Sequence, residues 1–465
     1  MAIVNGRPLE QDPRTPAVVE RVVVKLRPEA AAQPGAAPLG SAAANVWSAI
    51  RQRYPGVAIR PYFSASTGHD AARMSAAPPP GGAGLDPARY VAVDVPADVE
   101  AEAVAGELRR APEVETAYRE GGPTPPPVSP DDDPRSANQG YLGPAPEGVD
   151  AQFAWTIAQV DGSGVGFVDL ERGWTLDHED LAGAKVDVIS GINLDYRGHG
   201  TAVLGEVAAT DNAIGCIGIA PASTVRVVSQ WRTPSTYSTA EAILSAADGM
   251  APGDVLLLEA QTTFATSGGS YVPVEVEALV FDAIRSTVDR GIVVIEAAAN
   301  GSFDLDRFED ASGRQALKRG SADFRDSGAI VVGAASSRHP HRRLGFSNFG
   351  SRVDCFAWGE HIDTCGDGGI GDAANVYTPA FGGTSGASPI VAACALLLQS
   401  LRARDGLPMF TPAEMRALLA DTVLNTRSEE PAADRIGVMP DLRALIEHLH
   451  RRSTDACLSS RAASG

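Results

Sequence analysis

The sequence predicts an α/β protein, a doubly wound parallel sheet preceded by a smaller α/β unit. Three observations carry this. From residue 135 to about 423, short apolar runs alternate with helical segments, and that alternation builds parallel sheets with helices on both faces. The runs are continuous, as in Val255-Leu256-Leu257-Leu258, which suits strands buried on both faces. The stretch Gly121–Pro134 contains Pro-Thr-Pro-Pro-Pro and divides the chain, because such proline density makes an extended linker with no core.

Taken in order, residues 1–19 are polar and proline-containing, a flexible arm. Residues 20–120 follow as the smaller unit. Strands are expected at Glu20–Arg27, Val57–Phe63, Tyr90–Val95 and Val114–Arg119, and helices at Ala43–Tyr54 and Asp98–Arg110. The order βαββαβ is ferredoxin-like. Residues 121–134 are the linker and 135–450 the main domain. Its strands are expected at Val165–Asp169, Val225–Val228, Val255–Glu259, Ile292–Glu296 and Ala329–Val332. Its helices are expected near Gly200–Ala209, Thr239–Gly249, Val274–Arg290 and Ala387–Arg402. Two further helices, near Pro412–Asp421 and Leu442–His450, enclose a loop at Ile436–Leu442. Residues 451–465 form a polar tail expected to be disordered. Doubly wound sheets place their sites at the carboxyl ends of the strands. Asp169, Glu259 and Asn300 fall at or just beyond such ends.

The formal net charge is −19, which argues against nucleic acid and anionic membrane as partners. No run of 18 or more apolar residues occurs. The first ten residues lack a basic segment followed by an apolar one, which points to a cytoplasmic protein or to export by a non-standard route. Five cysteines at irregular spacing fit no zinc template. Cys216 and Cys394 read as small core residues. Cys355 and Cys365 flank a short turn and either pair on oxidation or stay free thiols.

The chemistry centres on Gly382-Gly383-Thr384-Ser385-Gly386-Ala387-Ser388-Pro389. A serine hydroxyl needs a base, an exposed position and a donor for the oxyanion before it becomes a nucleophile. The glycines permit a tight turn, and the apolar segment from Ile390 to Leu398 is helix-length. Pro389 is read as lying in the first turn of that helix, where proline is tolerated. Two more stretches stand upstream. Gly164-Val165-Gly166-Phe167-Val168-Asp169 is an apolar strand ending in an acid. Arg197-Gly198-His199-Gly200-Thr201 opens a small-residue helix. Each alone has a plainer reading, as a loop and N-cap, a strand-end carboxylate or a capping histidine. Together they give the order Asp, His, Ser of one class of serine-nucleophile triad.

On these three stretches the chain resembles the subtilisin-like (S8) serine peptidases from about Asp131 to Leu449. The resemblance implies a serine endopeptidase acting on protein or peptide substrates. Ser385 would be the nucleophile, His199 the base and Asp169 the residue orienting it. Ala297-Ala298-Ala299-Asn300-Gly301 matches the family's Ala-Ala-Gly-Asn stretch and makes Asn300 the oxyanion donor, although Asn-Gly is also a common turn. Ala299 departs from the family's glycine. Glu259 and Ala260 on one side, and Ala297, Ala298 and Ala299 on the other, would line the S1 pocket. Glu259 and Glu296 are read in two ways. They form a carboxyl pair favouring Arg or Lys at P1, or they are buried structural acids. The Gly345–Gly350 loop is read as structural, and His339, His341, His448 and His450 as solvated.

The resemblance also makes residues 20–120 a propeptide, an intramolecular inhibitor released from a zymogen. No cofactor is required for the chemistry. A structural calcium ion would take Gln139, Asp180 and Asn212, unless the loop Thr210–Cys216 holds no ion. Two rivals stand beside the peptidase, a catalytically silent peptide-binding relic and an acyl-transferring ligase using the same site.

Overall fold

The computed structural model describes residues 3–4, 7–8, 20–30, 43–63, 86–96, 98–120 and 128–451. The loop Ala76–Gly84, the proline-rich core of the linker, Cys457 and the tail lie outside them, as does most of the arm at 1–19. Two compact units divide at Thr124 and Pro125.

The first unit has strands Glu20–Leu26, Ala58–Pro61, Tyr90–Val95 and Val114–Arg119 and helices Ala44–Arg53 and Ala101–Leu108. The sheet is antiparallel, with the strands in spatial order second, third, first, fourth. This is the βαββαβ order expected from the sequence. Val22, Val24 and Leu26 share a core with Trp47, Ile50 and Leu108 from the helices.

The second unit is built on a nine-stranded sheet. From one edge its strands run Thr426–Arg427, Val438–Met439, Cys355–Trp358, Ile330–Ala335, Val293–Ala297, Val255–Leu258, Gly166–Glu171, Thr224–Ser229 and Asp187–Ser190. All neighbours are parallel except the first pair. Adjacent residues of one strand enter different cores, as buried strands require. Phe167, Val255, Leu257, Val293 and Ile295 face one layer, and Val168, Leu170, Leu256, Leu258 and Val294 the other. The first layer holds the helices Arg197–Ala208 and Thr384–Arg404, and the second Thr239–Asp248 and Ala278–Asp289.

The helix Thr384–Arg404 is long and apolar enough to cross a membrane, yet 94% of its apolar window is buried inside this unit. It starts three residues earlier than expected, so Pro389 lies in its second turn. Proline there removes the bond that the Ser385 carbonyl would accept within the helix. Residues 436–442, expected as a loop, contribute the short strand Val438–Met439.

Candidate active site

The carboxyl ends of the central strands open into a cleft of about 540 Å³. His199, Ser385, Asn300, Glu171, Glu259 and Gln261 all line it. Each arrives there for a local reason. The helix Arg197–Ala208 starts close against the loop that follows the strand Gly166–Glu171 because residue 200 has no side chain. A Cβ on Gly200 would sit 2.4 Å from the Gly173 carbonyl oxygen and 2.8 Å from Trp174 Nε1. Ser385 follows Gly383, whose φ of 87° lies where glycine is favoured.

The carboxylate on His199 is Glu171, and this corrects the expectation for Asp169. His199 Nδ1 donates to Glu171 Oε1. Asp169 is fully buried and accepts from Trp174 Nε1 at 2.7 Å, and its other oxygen is a buried atom with no hydrogen-bond partner. The reason is strand geometry. The strand runs to Glu171 rather than ending at Asp169, so both acids share one face and Asp169 sits two positions, roughly 6–7 Å, deeper. Burial, then the charge of Glu171, holds the Asp169 carboxyl well above its ordinary range despite the Trp174 bond. For His199, burial favours the neutral ring, but the charge and hydrogen bond of Glu171 push it up to about 9. Its ring packs edge-on against Phe381 with centroids 5.3 Å apart.

Asn300 is oriented by its oxygen. Asn300 Oδ1 accepts from Thr384 N at 2.9 Å and from Thr384 Oγ1 at 3.2 Å. Its amide nitrogen is therefore left to donate. A Cβ on Gly383 would lie 3.4 Å from Asn300 Nδ2 and 3.6 Å from Ser385 N, so both N–H groups border the same small space. Ala299 adopts φ 71°, an uncommon conformation for a residue with a Cβ.

Of the proposed pocket residues, Glu259, Ala260, Ala297 and Ala299 line the cleft. Ala298 does not; it faces the core. Glu296 is also fully buried, with Oε1 accepting from Glu275 N at 3.0 Å. The pairing of Glu259 with Glu296 is therefore not formed, and Glu296 is the buried structural acid of the second reading. Glu259 instead meets Ser388 Oγ and stands beside Glu171 and His199. Sequence reading missed Glu171 and also Glu206, a fully buried acid on the histidine helix.

Cys365 lies near Cys216 rather than Cys355, with Asp180 completing the group. Cys216, Cys355, Cys365 and Cys394 are all buried and unpaired.

A family model described as the subtilase family matches residues 183–439. The chain belongs to the subtilase family. As a subtilase it is a serine endopeptidase. It is 29% identical over 270 residues to an intracellular serine protease of Paenibacillus polymyxa, covering 55% of this chain and 72% of that protein. It is 30% identical over 268 residues to subtilisin DY of Bacillus licheniformis, covering 56% and 83%. Against other relatives, subtilisin-like protease 2 of Arthroderma otae among them, it spans about half their length. A solved protease of Pseudoalteromonas arctica shares the fold, with a TM-score of 0.52 at 22% identity over 69% of this chain and 99% of that one. The family match begins beyond both Asp169 and Glu171.

The calcium position is built from a different residue set. Gln139 is occupied elsewhere, its Oε1 accepting from Ile217 N at 2.9 Å and its Nε2 donating to Ile217 O at 2.8 Å. Asp133 takes its place. Asp133 Oδ1 accepts from Asn212 N at 3.3 Å, and Asn212 Nδ2 donates to Asp180 Oδ1 at 2.9 Å. Asp133 Oδ2 is buried with no hydrogen-bond partner. Burial, then the charges of Asp180, Asp211 and Asp132, push Asp133 up to about 7. Asn212 Oδ1 is occupied too, accepting from Ile214 N at 2.6 Å, so the carboxyl oxygens that gather are those of Asp132, Asp133 and Asp211, a set that fits a hard cation such as Ca²⁺.

Proposed function

We propose that the chain cleaves peptide bonds in protein or peptide substrates with Ser385 as nucleophile, His199 as base and Glu171 as the carboxylate that orients it. Asn300 Nδ2 and the backbone N–H of Ser385 receive the oxyanion. The observation that carries this reading is the bond from His199 Nδ1 to Glu171 in a cleft shared with Ser385 and Asn300. In the first step Ser385 Oγ attacks the scissile carbonyl and its proton passes to His199 Nε2. Glu171 keeps the other ring nitrogen protonated and stabilises the imidazolium. The same proton then goes to the leaving amine, and water repeats the sequence on the acyl-enzyme. The chemistry requires no cofactor. Calcium, held by Asp132, Asp133 and Asp211, would neutralise their gathered charge and tie the start of the domain to the loop after the histidine helix.

The unit at residues 20–120 is read as a propeptide that inhibits the peptidase within the same chain. Its own core and its position ahead of the peptidase unit support this.

A fluorophosphonate probe tests the centre of the proposal. Wild type should label at Ser385 and the Ser385→Ala chain should not. Equal labelling of both would remove Ser385 from the mechanism, and no labelling of either would favour a peptide-binding relic.

A further inference from the structure

Ser388 has one hydroxyl hydrogen and two neighbours competing for it. Its Oγ lies 2.7 Å from the Thr384 carbonyl oxygen and also contacts Glu259 Oε1. A carbonyl can only accept. If Ser388 donates to Thr384, the contact with Glu259 is a hydrogen bond only when the glutamic acid is the donor. An ionised Glu259 would set two acceptors against a single hydrogen. Glu259 Oε2, moreover, is buried with no hydrogen-bond partner, which costs an anion far more than a neutral acid.

The surroundings point the same way. Glu171 and Asp169 face Glu259 from the neighbouring strand, and Glu206 and His199 from the histidine helix. The only cation in this set is His199, itself paired with Glu171. Burial, then the charge of Glu171, holds the Glu259 carboxyl well above its ordinary range.

We propose that Glu259 is a positioning residue that works in its protonated form, donating to Ser388 Oγ so that Ser388 can donate to the Thr384 carbonyl. This relay fixes the turn that presents Ser385. The N–H of Thr384 holds Asn300 Oδ1, so the same relay steadies the oxyanion donor. Loss of the Glu259 proton turns Ser388 towards the carboxylate, frees the Thr384 carbonyl and sets a second anion beside His199. No bond to substrate forms or breaks in this switch.

The proposal rests on Ser385 and His199 as nucleophile and base. Its test is kcat and KM against pH for the full chain, with the fold of each variant checked by melting. Glu259→Gln stays neutral and its amide can donate to Ser388. It should keep kcat within about tenfold and lack the decline at high pH that the proposal predicts for wild type once Glu259 ionises. Glu259→Ala and Ser388→Ala should each lose roughly 10- to 100-fold in kcat with little change in KM, and the double variant should be no worse than either. Ser388→Ala should also lack the alkaline decline, which keeps the idea testable if Glu259→Gln fails to fold. A Gln variant as poor as Ala, or one with the wild-type alkaline limb, overturns the proposal while leaving the serine peptidase reading intact. A wild type that takes no fluorophosphonate would overturn both.

Discussion

Asp169 and Glu171 lie two positions apart on one strand face, yet only Glu171 bonds His199. Their substitutions should therefore diverge. Glu171→Gln leaves the imidazole without its anion and should lower kcat by about 10³- to 10⁴-fold, the scale seen when a serine peptidase loses the charge of its orienting carboxylate. Asp169→Asn replaces a carboxyl that burial shifts towards its neutral form with a neutral group of the same shape, and should cost less than about tenfold. Reversal of that order would return Asp169 to the role the sequence suggested. The raised pKa of His199 has a definite sign. Its folded value, about 9, exceeds the ordinary 6.5, so its stabilising contribution is complete below pH 6.5 and fades as pH rises through 9. The same titration frees the base, so kcat/KM should climb towards pH 9; a profile flat from pH 6 upwards would contradict the His199–Glu171 pairing. That Ser385, His199 and Asn300 meet in one cleft was legible because each opens or follows a short motif. Glu171 was not, because its place depends on where a strand ends, and apolar pattern blurs such ends by two residues.

On the histidine helix, Glu206 is fully buried and neither of its carboxyl oxygens has a hydrogen-bond partner. Burial first, then Glu259, holds this acid well above its ordinary range. The folded chain therefore holds this proton to higher pH than the unfolded chain, whose ordinary value is about 4.5. The stability associated with that proton is complete below pH 4.5 and is lost as pH rises towards the folded value. Glu206→Met keeps the volume and removes the unmet polar atoms. It should stabilise the Ser385→Ala chain by about 1–3 kcal/mol at neutral pH, with the advantage growing as pH rises from 5 to 8. Urea unfolding at both pH values checks this, and an equal or less stable variant would mean that Glu206 has a partner such as ordered water. The helix itself was readable from its small residues, Ala202, Gly205 and Ala208. The burial of Glu206 was not, since side-chain burial follows from packing rather than from spacing. Short edge strands such as Asp187–Ser190 and Thr426–Arg427 escaped for a related reason, being too brief to show a period.

For the whole chain, the proposed propeptide role of residues 20–120 makes a prediction about self-processing. Wild type should shorten on storage by cleavage between Arg119 and Asp133, while Ser385→Ala stays full length. Glu120-Gly121-Gly122 is a better locus than Pro125-Pro126-Pro127, because proline fixes the backbone and lacks an N–H. Equal lengths on a denaturing gel would rule out self-processing. Both units were legible from alternation of elements and from the proline-rich break. Within the peptidase unit, the helix that begins at Thr384 has 17 of its 21 residues buried. Such a segment cannot fray while the rest stands, so its amides should exchange with solvent only when the unit opens globally. Heat inactivation and loss of the slowest-exchanging protons should then share one midpoint, and a simple turnover assay becomes a gauge of how much folded enzyme remains.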